Sequence, residues 1–136
     1  MDSNIIKNLS RIGVVSSVNV AKMTARVRFI DRDDIESYDL HLLNRGSKTF
    51  KDYWIPAIDE QVLCLYIPNT GGRGVGEGWV LGSWFSDEDT PVQIGETIRR
   101  VDFGDGSFIE HDRASGNLTL HATGDVIITG ANVRIN

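Results

Sequence analysis

Four carboxylates lie close together in the C-terminal third of the sequence: Asp102, Asp105, Glu110 and Asp112. Since Ca²⁺ binds several oxygen ligands, such a group is a candidate calcium site. The spacing, however, does not match the loop of an EF-hand, and Gly104 and Gly106 lie among the carboxylates. Asp and Gly are typical turn residues, so we interpret this stretch as a turn and predict no metal site.

A second candidate is the glycine-rich stretch Gly71–Gly76, which resembles a phosphate-binding loop. It lacks the Lys-Ser/Thr pair of that motif, and the residues after it have no helical pattern. We therefore predict that it is the tip of a β-hairpin. The only cysteine, Cys64, lies in the apolar run Val62–Tyr66, where a small buried side chain is expected and a reactive thiol is not.

Ser, His and Asp residues are present, but their spacing does not indicate the nucleophile elbow of a hydrolase. No cluster of Cys and His has the spacing of a zinc site. We therefore predict that the protein is not an enzyme and has no catalytic residue, no cofactor and no bound metal.

A binding function is the main alternative, because several cations and aromatic residues fall in the first half of the chain. A site for single-stranded nucleic acid combines a basic groove with aromatic stacking platforms, and these residues could supply one: Arg26, Arg28, Lys48, Lys51, Tyr53 and Trp54. The chain nevertheless has 14 basic against 19 acidic residues, a net charge of −5, with no dense basic cluster. Nucleic-acid binding depends on contacts to phosphate, so we predict no nucleic-acid partner and keep this module as the alternative.

The elements that would position these residues have the periodicity of β-strands almost throughout. A short helical turn at residues 4–10 precedes strands at 11–18, 24–29 and 38–42, a fourth beginning near Glu60, and a fifth at 78–85. Five strands predict a small Greek-key barrel of the OB type. Pro91 follows an acidic stretch and is the predicted boundary, so the barrel domain with its N-terminal segment spans residues 1–90.

Residues 91–136 differ in character, because the predicted strands are short and separated by Gly, Asp and Asn turns. We expect strands near 99–103, 107–112, 118–123, 126–129 and 131–136. Alternation places Leu118, Leu120, Ala122, Val126 and Ile128 on one face. Strands this narrow do not close a core alone, whereas an intertwined threefold β-prism covers both the apolar face and the open edges. We therefore predict a short trimeric β-helix.

Blocks in the first two thirds of the chain resemble a known family when taken in order: Arg11–Val15, Ala25–Val27, Trp54–Pro56, Glu60–Leu63 and Gly78–Gly82. They are similar to the phage baseplate assembly protein V family, the tail-spike family of P2-like phages, which is related to the tip modules of type VI secretion. The stretch Asp102–Glu110 resembles the family's transition from barrel to β-helix. The resemblance covers roughly residues 10–90 together with this transition.

The resemblance implies a homotrimeric spike in the baseplate of a contractile phage tail or a tail-like injection particle. Its barrels would dock on the baseplate hub protein, and its β-helix would pierce the target cell envelope when the sheath contracts. We expect the chain to be made in the host cytoplasm, since residues 1–4 lack the basic start of a signal peptide, and to function within the virion or particle.

One departure from the family concerns the tip of the spike. Longer members end in a His-x-His motif whose six histidines hold an axial iron ion, whereas this sequence stops at Asn136 and contains no such motif. We therefore do not expect the iron site of the longer members in this protein, and we expect His121 to lie on the surface or in a turn. A separate cone-shaped tip protein of the PAAR type would fit the exposed end near Val133.

The residues to which we assign structural and trimer contacts are all apolar or aromatic. Large aromatic residues are common anchors of interfaces, and we expect those between Gly78 and Phe85, with Trp54, to lie in the barrel core or between barrels. The assigned residues are Trp79, Trp84, Phe85, Leu118, Leu120, Val126, Ile128, Val133 and Ile135.

Overall fold

A computed structural model of the chain describes residues 9–68 and 75–136, and its regular structure is almost entirely β-strand. The chain divides into two compact units between Trp84 and Phe85, six residues before the boundary predicted at residue 90. The strands are β1 (Ser10–Asn19), β2 (Thr24–Phe29), β3 (Ile35–Glu36), β4 (Leu40–Leu42), β5 (Gln61–Pro68), β6 (Val75–Ser83), β7 (Ile98–Asp102), β8 (Phe108–Asp112) and β9 (Asn117–His121).

The first unit is a closed five-stranded barrel. Strands β1, β5, β6, β4 and β2 follow one another around the ring, and pairing of β1 with β2 closes it. Strand β4 runs parallel to β6, whereas the other neighbours are antiparallel. Strand β3 adds two residues to the edge of β2. A three-residue 3-10 turn, Ile30–Arg32, separates β2 from β3.

Strand β1 closes the ring because it is long enough to pair with two partners. Its first half, Ser10–Val14, pairs with β5, and Val14–Asn19 pairs with β2. The register shifts between Val15 and Ser17, as at a β-bulge, which bends a strand and raises its twist. Gly13 precedes the residue at which β1 passes from β5 to β2, and it is buried; a Cβ there would lie 2.5 Å from a Val27 methyl carbon. The lack of a side chain at this residue therefore allows β1 and β2 to approach closely.

Alternation of apolar residues along the strands produces the barrel core. In β2, Ala25, Val27 and Phe29 point inward while Arg26 and Arg28 point outward. Phe29 and Tyr66 meet edge to face, with ring centroids 6.2 Å apart. The buried apolar side chains are Val15, Ala25, Val27, Phe29, Leu40, Leu42, Val62, Cys64, Tyr66 and Val80.

The second unit is an antiparallel three-stranded sheet in the order β7-β8-β9. The β7–β8 turn contains Gly104 at φ +87° and Gly106 at φ +96°, and Gly116 in the next turn has φ +77°. Non-glycine residues rarely adopt such angles, so glycine sets the shape of both turns. Residues 122–136 follow β9 and form no strand that pairs with another described residue.

The five strands predicted before residue 85 are confirmed, as are those at 99–103, 107–112 and 118–123, each within a few residues. The strands expected at 126–129 and 131–136 are absent as hydrogen-bonded strands, because the described chain offers their backbone no partner. Residues 4–8 of the predicted helical turn, and residues 71–74 of the glycine-rich tip, lie outside the described residues. Among the described residues, no helix has the length and apolar character needed to span a membrane.

Candidate oligomerisation surface

The β7-β8-β9 sheet has one face that carries a cross-strand row of aliphatic residues. Val101 on β7 lies opposite Ile109 on β8, and Ile109 lies opposite Leu120 on β9. Neighbours in register point to the same side of a sheet, so these three side chains form one row. Leu118, two residues before Leu120, lies on the same side, and all four are exposed. We call these four residues the apolar face.

Polar and aromatic contacts cover much of the opposite side of the same sheet. The Arg100 guanidinium lies 3.7 Å from the ring centroid of Phe108 and donates to Glu110 (3.0 Å) and Asp102 (2.9 Å). The Phe108 ring in turn stacks on His121, with centroids 5.2 Å apart. These contacts satisfy the charged groups of this side and half-bury Arg100, Phe108 and Glu110. The side of the sheet that lacks such contacts is the apolar face.

No residue of the second unit is buried. All of residues 85–136 are described, and each is exposed or half-buried, whereas the described part of the barrel buries ten apolar side chains. Leu118 keeps 67% of its surface exposed and Ile135 keeps 92%. Covering a Val, Leu or Ile side chain stabilises a protein by roughly 1.5–3 kcal/mol. These side chains would therefore contribute favourable free energy if another surface covered them.

The C-terminal segment, residues 124–136, lacks backbone partners as well. No backbone N–H or C=O of this segment bonds to any described residue, although it carries Val126, Ile127, Ile128, Val133 and Ile135. Unpaired backbone groups are costly once water is removed, and strands in this state readily pair with another chain. The segment combines exposed aliphatic side chains with free backbone hydrogen-bonding groups.

The start of this segment is fixed by the β7–β8 turn. The Asp105 carboxylate accepts the Ser107 N–H (2.8 Å) and the Thr123 hydroxyl (3.3 Å), and Thr123 N–H donates to the Ser107 hydroxyl (3.1 Å). The backbone N–H of Ser107, followed by its side chain, holds the pKa of Asp105 below its usual value. Turn and segment are thereby joined at Thr123, so the chain leaves the sheet in a defined position.

The residues assigned to trimer contacts from the sequence are placed as follows. Leu118 and Leu120 lie on the apolar face, while Val126, Ile128, Val133 and Ile135 lie exposed in the C-terminal segment. The sequence assignment omitted Val101 and Ile109, which complete the row in register. The sequence pattern was sufficient to assign Val101 and Ile109 to this face, because each alternates with polar neighbours in a strand that the sequence predicts.

The four aromatic residues expected in the barrel core or between barrels, Trp54, Trp79, Trp84 and Phe85, lie outside the core, which corrects the first of these two expected roles. Trp54 and Trp84 are exposed and Trp79 is half-buried, and Phe85, the first residue of the second unit, is exposed as well. On β6 the inward positions belong to Gly78 and Val80, so Trp79 between them points outward. There its ring lies beside the ring of His41, with the two centroids 5.7 Å apart, and His41 Nε2 lies 2.6 Å from the Glu77 carboxylate.

The other candidate groups from the sequence have local partners. Asp102 and Glu110 bind Arg100, Asp105 holds its turn, and Asp112 accepts the Thr97 hydroxyl at 2.9 Å. Within residues 9–68 and 75–136, no three metal-ligating side chains converge.

Cys64 is fully buried, and this desolvation raises the pKa of its thiol to about 12. Arg26 pairs with Asp39 at 2.9 Å, while Lys48, Lys51, Tyr53 and Trp54 lie in the loop before β5.

Neither models of known protein families nor curated proteins give a significant match to this sequence.

Proposed function

We propose that the protein is the homotrimeric central spike of a contractile phage tail or of a tail-like injection particle. In this proposal the first unit is an OB-fold barrel that docks on the baseplate hub protein. The second unit forms a short intertwined β-helix with two further copies and enters the target cell envelope. The sequence blocks that resemble the baseplate assembly protein V family support this assignment.

The single observation that carries the proposal is the lack of any buried residue between Phe85 and Asn136. A unit of this kind gains little from folding alone, because burial of apolar surface is the main favourable term in folding. It nevertheless has a regular three-stranded sheet with one apolar face and a fixed turn at Asp105. Association with identical copies would bury the apolar face and pair the C-terminal segment at the same time.

The barrel supports the OB-fold part of the proposal. Its ring order, β1-β2-β4-β6-β5 and back to β1, joins five strands with one parallel contact between β4 and β6. A five-stranded barrel with this strand order is consistent with the Greek-key barrel of an OB fold. Closure leaves β3 as the added edge in the described part of the barrel, so the barrel is suited to docking by its outer surface.

A piercing role requires stiffness, and three-chain β-pairing would provide it. Each chain would contribute strands whose backbone groups bond to a neighbouring chain. Bending such a rod would break many hydrogen bonds at once, and stability would accumulate layer by layer as in a solenoid. Force from the sheath would then pass through the barrels to the rod.

Light scattering of the purified protein tests the proposal directly. We expect a mass near three times 15.1 kDa that persists on dilution to micromolar concentration. A stable single subunit at that concentration would contradict the proposal. Electron microscopy of purified particles with an antibody to the barrel unit then tests location, and labelling away from the baseplate would contradict the spike assignment even for a trimer.

A further inference from the structure

The connection between β4 and β5 is long and ordered. It runs from Leu43 to Glu60, 18 residues that contain no helix or strand beyond one isolated bridge. Loops of this length within a compact domain are uncommon and are usually functional. Arg45 and Asp52 form the bridge, each backbone N–H donating to the other's carbonyl at 2.8 and 2.9 Å. We call residues 45–52 the basic loop.

The basic loop has a defined conformation at its tip. Gly46 has φ +83°, and a Cβ at this position would overlap the carbonyl oxygen of Phe50. Only glycine therefore fits the turn that leads into the tip. Beyond the bridge, Asp59 N–H donates to the Val15 carbonyl at 2.8 Å, which anchors the end of the connection to β1.

The chemistry of the basic loop differs from that of the whole chain. It carries three cations, Arg45, Lys48 and Lys51, and one carboxylate, whereas the chain as a whole has five more acidic than basic residues. None of the three cations forms an ion pair with another described residue. Phe50 at the tip is 85% exposed. The loop is thus a preformed basic surface with an apolar centre.

A complementary surface lies in the acidic turn Ser86–Asp89. Ser86 N–H donates to the Asp89 carbonyl (2.9 Å), and Asp89 N–H donates to the Ser86 hydroxyl (3.1 Å). Asp87, Glu88 and Asp89 are exposed and have no ion pair with a described residue. Phe85, directly before the turn, is exposed as well. The turn therefore presents three carboxylates beside one aromatic ring.

We infer that the basic loop of one copy binds the acidic turn of a second copy. The inference rests on the proposed homotrimer and names one of its inter-subunit contacts. The two surfaces are opposite in charge, since the basic loop carries three cations and one carboxylate and the acidic turn carries three carboxylates. An exposed phenylalanine lies in the loop and another lies directly before the turn. Neither the three cations nor the three carboxylates form an ion pair with a described residue. Both are held by local hydrogen bonds, so little conformational entropy is lost on contact.

A charge-swap experiment tests this pairing. We expect Lys48→Glu/Lys51→Glu and Asp87→Lys/Asp89→Lys each to raise the midpoint concentration of trimer dissociation at low salt by about tenfold. The four substitutions together restore the pairing with reversed sign and return the midpoint towards that of the wild type. The matched control combines Lys22→Glu with Asp87→Lys/Asp89→Lys, because Lys22 is an exposed lysine outside the loop, and this set should restore nothing.

A proximity measurement complements the swap. With Lys48→Cys and Asp87→Cys in one chain, mild oxidation should give species of two and three subunits on a non-reducing gel. A disulfide formed only within single chains would overturn the inference, as would unchanged dissociation of both one-sided variants in a protein that remains trimeric.

Binding of a single-stranded oligonucleotide that is lost in Lys48→Glu/Lys51→Glu would instead assign the loop to nucleic acid. A wild-type single subunit would contradict the proposed function itself.

Discussion

Ile109 lies directly opposite Leu120 in the β8–β9 pair, and both side chains are exposed. In most sheets a cross-strand aliphatic pair of this kind lies under a second layer, because contact between the two side chains removes only part of their surface from water. Here residues 85–136 provide no such layer. The pair therefore stays uncovered within the second unit, and in the proposed trimer it is a position at which a neighbouring chain would bind.

Leu120→Asp places a charge in the centre of the apolar face. In a single subunit the exposed aspartate should cost little, whereas in a trimer it would be buried without a partner, which is strongly unfavourable. We expect light scattering to show a single subunit with an intact barrel, judged by an unchanged thermal transition of the barrel. Thr119→Asp on the opposite side of the sheet is the control and should remain trimeric. Equal masses for the two variants would contradict the assignment of the apolar face.

The Asp105 carboxylate should make the stability of the second unit depend on pH in the acidic range. Its folded-state pKa lies below the usual 3.8 because it accepts hydrogen bonds, first from the Ser107 backbone. The resulting stabilisation is present above about pH 4 and is lost as the pH falls through the lowered pKa. We expect Asp105→Asn to lower the melting temperature at pH 7, with the difference from wild type shrinking below pH 4. Asp125→Asn, which removes no hydrogen bond to a described residue, should show no such trend.

Periodicity alone was sufficient to predict most of the barrel. Strand β2 follows its predicted bounds because Ala25, Val27 and Phe29 alternate with charged residues, and one face of the strand is buried. By contrast, β4 has only three residues, Leu40–Leu42, although the pattern indicated a longer strand from residue 38. Its length is set by pairing with both β2 and β6, which are distant in sequence.

The aromatic residues show why residue type alone gives a poor prediction of the core. Trp79 was expected in the barrel core or between barrels, but parity along β6 assigns the interior to Val80. The C-terminal segment shows a second limit, since its apolar pattern predicts strands while the partner of those strands is not encoded next to them. No strand forms there among the described residues, because a strand needs a hydrogen-bonded neighbour and the local apolar pattern does not specify one.

The Cys64 thiol should react only when the barrel opens. It is fully buried, and desolvation raises its pKa to about 12, so the thiolate fraction at pH 8 is about a thousandfold lower than for a free cysteine. We expect a thiol reagent to label the native protein at the rate of unfolding and the denatured protein at once. Fast labelling under native conditions would show that β5 opens locally.

A side chain at Gly13 in β1 should destabilise the barrel. A Cβ there would approach the Val27 side chain at 2.5 Å and the Arg28 carbonyl oxygen at 2.6 Å. We expect Gly13→Ala to destabilise the barrel by about 1–3 kcal/mol, as overpacking typically does. At Gly82 a Cβ would meet nothing within 4 Å, so Gly82→Ala is the matched control and should change the unfolding free energy by less than about 0.5 kcal/mol. Chemical denaturation of both variants provides the comparison.

Hydrogen exchange of residues 124–136 separates pairing between chains from an unpaired tail. Within the described chain none of these backbone amides has a hydrogen-bond partner, so in a single subunit they should exchange at nearly the rate of an unfolded peptide. In an intertwined trimer they would bond to neighbouring chains, and we expect slowing by at least about a hundredfold. The exposed residues 92–94 serve as an internal reference that should exchange quickly in either case. Protection of the segment in wild type that disappears in Leu120→Asp would link pairing to the apolar face. Fast exchange in a confirmed trimer would show that residues 124–136 do not pair between chains and would exclude the three-chain rod.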